Sequence, residues 1–210
     1  GNLEIVTERL AVNGGAFIDS STLADGNAGN IVIHAADYIF LDGIVPTMLQ
    51  EDGDIRSSIN SVTNKIQNRM VTIPGLPAIP GGNAGRIELH TPSLRIANGA
   101  QVNISARGPG DSRALLIDAQ QIEVVNRGRS SATTTTGNGG NMRIQTDRLR
   151  LDNGLINASV LDTGKGGNIQ IDAAETIEII GTGSQSLRET IILPSFAREF
   201  LPTSVEQGIW

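Results

Sequence analysis

The feature that most limits what this chain can fold into is a repeat. "GNAGNIVIHA" from Gly26, "GNAGRIELHT" from Gly82, "GNGGNMRIQT" from Gly137 and "GKGGNIQIDA" from Gly164 are versions of one motif. "GNLEIVT" at the start is a shortened version, and "DSRALLIDA" from Asp111 is one without the glycines. The first apolar residue of each falls at Leu3, Ile31, Ile87, Leu115, Met142 and Ile169, giving steps of 28, 56, 28, 27 and 27. A fixed period of this size marks a stacked-repeat architecture.

Each copy has the same interior. An apolar pair alternates first, as in Ile31 and Ile33 or Met142 and Ile144. The next residue on that face is small: Thr7, Ala35, Thr91, Ala119, Thr146, Ala173. A second alternating pair follows, from Leu10 and Val12 to Ile177 and Ile179, and then Asn-Gly or Asp-Gly at Gly14, Gly43, Gly99 and Gly154. Three copies add a third alternating stretch, "AFIDSS", "QVNISA" and "LINASV". Period two specifies strands, and the dipeptides supply positive φ at corners. The prediction is an all-β fold: three short strands per 27–28-residue rung, stacked because one rung cannot bury its own apolar face. A leucine-rich repeat needs a helical segment per unit, and a propeller blade needs about 40 residues. A right-handed parallel β-helix of about six rungs fits better, with residues 1–183 as its body.

Stacking places equivalent residues in columns. Arg95, Glu123, Arg150 and Glu178 alternate in charge and are expected to form a ladder that fixes register. Asn2, Asn30, Arg86, Ala114, Asn141 and Asn168 form a broken asparagine column, in which side chains are expected to bond one another. His34, His90, Asp118, Gln145 and Asp172 form an outward column, the one candidate for chemistry. Adjacent histidines can share a metal or exchange a proton. Asp118 and Asp172 lie two rungs apart, about 9.5 Å, at the upper end for an inverting glycosidase pair. The plainer alternative is a solvated polar stripe. No nucleophile or further acidic cluster accompanies the column, so no catalytic, cofactor or metal residue is assigned.

Two regions break the pattern. The step of 56 spans an insertion at 44–81, either a loop on one rung or an additional degenerate rung. A short third strand is expected around 57–63, with "IPGLPAIPGG" as a proline-fixed return. The insertion either covers Val32 and Leu116 or binds a partner. "SSATTTTG" from Ser130 reads as a polar loop. After Gly183 the pattern fails, and 184–210, with Phe196, Phe200 and Trp210, reads as a cap or an irregular tail.

Charge and motifs exclude several classes. A formal charge of −6 disfavours nucleic acid and anionic membrane surfaces. No cysteine is present, so disulfides and thiolate sites are excluded. No apolar run is long enough to span a membrane as a helix. "GNGGN" leads into a strand and no Gly-Lys-Ser or Gly-Lys-Thr follows, which excludes a P-loop and a dinucleotide fingerprint. It lacks the aspartate of the calcium nonapeptide, and no Gly-x-Ser-x-Gly elbow exists. "DGD" at Asp52–Asp54 is a short carboxylate cluster, and Asn103 and Asn157 head two glycosylation sequons. The opening "GNLEIVTERL" already reads as a repeat, as expected of a piece of a longer chain.

"GNAGNIVIHAADYIFLDG", "GNAGRIELHTPSLRIANGAQVNISARG" and "GKGGNIQIDAAETIEIIGTG" resemble the repeats of cyanobacterial filamentous-haemagglutinin-like exoproteins of two-partner secretion. The resemblance covers 1–183 apart from 44–81. It implies a right-handed β-helix, export through an outer-membrane partner pore, and a surface-associated adhesive role towards cell-surface or extracellular glycan or protein partners. The family's N-terminal secretion domain is not evident, and the family offers no catalytic residue to carry over. Three functions follow as expectations: an adhesive shaft, a polysaccharide-active β-helix enzyme of the pectate-lyase kind, or a passive spacer.

Overall fold

The computed structural model describes residues 1–46, 54–63, 75, 77 and 79–181. These contain no helix. The long strands are β1 (Leu3–Asn13), β3 (Ile31–Asp42), β7 (Ile87–Ala97), β9 (Leu115–Val125), β11 (Met142–Asp152) and β13 (Ile169–Ile180). The short ones are β2 (Phe17–Asp19), β4 (Ile44–Pro46), β5 (Asp54–Arg56), β6 (Ser58–Thr63), β8 (Gln101–Ala106), β10 (Arg129–Thr134) and β12 (Leu155–Asn157). The long strands make a six-stranded parallel sheet in the order β1-β3-β7-β9-β11-β13. The short strands make a second parallel sheet, β12-β10-β8-β6-β2. Chain order follows stacking order in both, which defines a parallel β-helix of six rungs.

The repeats pair in the register that their spacing predicts. Leu3 lies beside Ile31, Ile31 beside Ile87, Ile87 beside Leu115, Leu115 beside Met142 and Met142 beside Ile169. Ile31, Ile33, Ile39, Leu41, Ile87, Leu89, Leu94 and Ile96 are fully buried within one continuous core. Full burial of each such side chain is worth about 1.5–3 kcal/mol.

Three local readings change. The first and second alternating stretches run on as one strand rather than two. Pairing continues around the corner at the small residue, with a register shift beside it in β1, β3 and β11. "SSATTTTG" does not begin as a loop: Arg129–Thr134 is β10, paired on both sides. Its inward residues, Ser130, Ala132 and Thr134, are buried. They are small or polar, so hydropathy does not reveal the strand. The step of 56 adds no rung, because β3 pairs directly with β7. β6 supplies the short strand of that rung, and β4 and β5 form an antiparallel hairpin ahead of it.

The glycines have two different causes. Gly14, Gly43 and Gly99 take φ of 61°, 88° and 82° as corner residues. At Asn153-Gly154 it is Asn153 that takes the positive φ, at 50°, while a Cβ on Gly154 would collide with the carbonyl oxygen of Val124. The motif's leading glycine is likewise a matter of space. A Cβ on Gly82, Gly110, Gly137 or Gly164 would collide with the carbonyl of Gly26, Gly82, Gly110 or Gly137, one rung earlier. Gly110 therefore occupies the leading position in the "DSRALLIDA" rung, which has kept one glycine after all.

Asparagine columns work differently from the expectation. Their side chains accept from backbone N–H groups of the next rung, not from each other. Asn2 Oδ1 accepts from Asn30 N at 2.9 Å, Asn30 Oδ1 from Arg86 N at 2.9 Å and Asn141 Oδ1 from Asn168 N at 3.0 Å. A parallel set links Asn27 to Asn83, Asn83 to Asp111 and Asp111 to Asn138. Side-chain pairing occurs instead at the corners, where Asn126 Nδ2 donates to Asn98 Oδ1 at 3.2 Å.

Candidate functional site

The outward column on the first sheet is continuous. His34 pairs with His90, His90 with Asp118, Asp118 with Gln145 and Gln145 with Asp172, and Val6 precedes them beside His34. The strand period of two puts all of them on the outer face. The two imidazoles stack with centroids 4.6 Å apart and planes 8° from parallel. His90 Nδ1 lies 3.8 Å from Asp118 Oδ2, and His90 Nε2 lies 3.9 Å from Glu88 Oε2.

The column divides in two. Val6, His34, His90 and Asp118 border an open groove of about 430 Å³ that runs across four rungs along the solenoid axis. Thr7, Ala35, Thr91 and Ala119 also line it, together with Ala36, Pro92 and Gln120. The groove follows the corner where the long strands turn: two consecutive residues, such as Gln120 and Gln121, face out where the alternation skips. Gln145 and Asp172 continue the register beyond the groove. Asp172 is occupied, accepting from Gln170 Nε2 at 3.0 Å and lying 3.9 Å from Arg143 Nη2. Asp118 and Asp172 stand two rungs apart in register, as their spacing predicts, and of the two Asp118 borders the groove. Among the described residues no three metal-ligating side chains converge.

The charge ladder lies on the far side of that corner. Arg95 pairs with Glu123 through Nη1 and Oε2, and Arg150 Nη1 reaches Glu178 Oε2 at 2.7 Å. Arg150 turns its other nitrogen to Asp152 in its own strand, at 2.7 Å, so the ladder closes as two pairs. Two further pairs at the corner itself went unread in the sequence. Arg9 Nε donates to Asp37 at 2.7 Å, and Arg148 Nε donates to Glu175 at 2.5 Å. Asp37 and Glu175 stand in the register shifts of β3 and β13, where one extra residue bulges from the corner. The hydrogen bond and charge of Asp37 raise Arg9 above the ordinary arginine pKa. The hydrogen bond to Asp152 and the charge of Glu178 do the same for Arg150.

The β4–β5 hairpin is seated at another corner. Arg56 Nη1 donates to the Gly99 carbonyl at 2.8 Å, and Ser57 Oγ accepts from Gly15 N at 3.0 Å. Val45 and Ile55 lie against the space that Gly15 leaves open. The expected cover over Val32 and Leu116 falls on 47–53 and most of 64–78, which lie outside the described residues. "DGD" falls largely outside them too, as does the whole of 184–210.

The fold and groove define a parallel β-solenoid with a polar, axis-parallel flank. No protein-family model, curated protein or solved structure matches the chain. No helix among the described residues is long and apolar enough to cross a membrane.

Proposed function

We propose that the chain is a segment of a secreted, surface-associated adhesive shaft that binds extracellular glycan or protein partners along its flank and does not transform them. The observation that carries this reading is the groove bordered by Val6, His34, His90 and Asp118. It presents a few polar groups on a rigid, regularly stacked scaffold, which suits recognition of a repeating partner. The resemblance of the glycine-led repeats to filamentous-haemagglutinin-like exoproteins supports the same reading, with export through an outer-membrane partner as its corollary. Chemistry is disfavoured by the isolation of Asp118 from any second carboxylate in the groove.

The test uses the whole 210-residue chain. Beads coated with it are exposed to a glycan array and to bacterial cells, and the chain is incubated in parallel with acidic and neutral polysaccharides. Retention that drops at least tenfold in Asp118→Ala supports adhesion through this flank. Product formation that disappears in Asp118→Ala makes the protein a polysaccharide-active enzyme instead, and blank results throughout leave a passive spacer.

A further inference from the structure

We infer that the groove takes a neutral, unbranched glycan lying parallel to the solenoid axis, with about one sugar per rung. This deepens the adhesive reading and rests on it. The groove crosses four rungs, and three rung spacings of about 4.8 Å make about 14 Å. An extended glycan advances by a comparable length per sugar, so successive sugars meet equivalent register positions on successive rungs.

The lining chemistry specifies the ligand class. Asp118 accepts hydrogen bonds from hydroxyl groups, Gln120 both donates and accepts, and the two imidazoles add ring-nitrogen sites. Val6, Ala36 and Pro92 provide apolar surface for the C–H faces of a sugar ring. No lysine or arginine lines the groove, and its one carboxylate belongs to Asp118. Nearby Arg86 is engaged by Glu88 at 2.9 Å. A uronate or sulfate would face Asp118 without a counter-charge, and the chain as a whole carries −6. A cationic ligand would have one carboxylate, already beside His90. An uncharged, hydroxyl-rich chain brings no like charge to Asp118 and supplies hydroxyl donors to it, and both donors and acceptors to Gln120 and the imidazoles.

The probes are neutral β-linked gluco-oligosaccharides of one to six sugars and oligogalacturonides of matched length, titrated calorimetrically into the full chain. Affinity for the neutral series should rise with each sugar up to about three or four, then level off. It should change less than twofold with added salt, and the acidic series should bind at least tenfold more weakly. Asp118→Ala should weaken binding at least tenfold. Ala36→Trp, at an exposed position, should abolish it by filling the groove, with the circular dichroism spectrum of either variant unchanged. Equal or tighter binding of the acidic series, strongly salt-dependent, would overturn the neutral assignment while leaving groove binding in place. Binding that ignores Ala36→Trp would overturn the location. Failure of both series would remove the flank-binding reading itself.

Discussion

Ser130 points into the core between Val102 and Ile156, has no solvent exposure, and its hydroxyl has no hydrogen-bond partner. A buried hydroxyl without a partner costs about 1–3 kcal/mol. Four residues on, Thr134 is equally buried but satisfied: its Oγ1 donates to the Gly110 carbonyl at 3.0 Å and accepts from Gly137 N at 3.2 Å. Thr134 thereby ties the second sheet to the glycine corner, and the two positions should respond oppositely to the same change. Ser130→Ala is expected to raise stability by about 1 kcal/mol, and Thr134→Ala to lower it by about 1–2 kcal/mol. The denaturant midpoint at constant slope measures both. Loss of stability in Ser130→Ala would mean that the hydroxyl has a partner in solution. Neither environment was legible in "SSATTTTG", because alternation of serine with alanine and threonine carries no hydropathy signal, and only pairing with β8 and β12 identifies the strand.

Among the elements, the long strands were legible where side chains alternate and illegible where they bend. The corner insertions can be read by comparing two sets of steps. First apolar residues advance by 28 from Leu3 to Ile31, but second-stretch residues advance by 29 from Leu10 to Ile39, and from the fifth rung to the sixth the values are 27 and 28. Each surplus residue sits at a corner, and in both rungs an acid there reaches back to an arginine one rung earlier. The outward column was legible as well, whereas its groove was not, since the hollow depends on where the strand turns. The ladder illustrates what register is worth. Arg150 lies between Glu123 and Glu178, with Asp152 close by. Its raised pKa keeps it charged: that stabilisation is complete below the unfolded arginine pKa and is lost only as pH rises through the still higher folded value. Arg150→Glu should therefore lower the denaturant midpoint at low ionic strength, where this exposed pair is least screened. The deficit should shrink as salt shortens the screening length. An equal deficit at high salt would point to lost packing of the arginine stem, not lost charge.

At the scale of the whole molecule, stability is distributed along an axis, because each rung contacts only its neighbours. The middle rungs have a neighbour on both sides, and Ile87, Leu89, Leu94, Ile96, Leu115 and Ile122 are almost wholly shielded. The terminal rungs of the described solenoid have one neighbour each. Leu3, Ile5 and Leu10 in β1 are only partly buried, and in β13 Ile177 and Ile179 keep 46% and 49% of their surface exposed. Opening should therefore start at β1 and β13 and move inward. The groove spans the first four rungs, so a ligand seated in it would tie the fraying first rung to the protected third and fourth. Native-state hydrogen exchange should give amides of β7 and β9 the highest opening free energies, with β1 and β13 lower by about 2 kcal/mol or more. Side-chain truncation should follow the same gradient. Ile122→Ala is expected to cost about 2–5 kcal/mol, and Ile177→Ala, already half in water, about 1 kcal/mol. Uniform protection from β1 to β13, with equal losses at Ile122 and Ile177, would mean that the rungs unfold as one unit and that β13 is covered in solution. Slowed exchange confined to β1 when a groove ligand is added would show the binding flank acting as a clamp on that end.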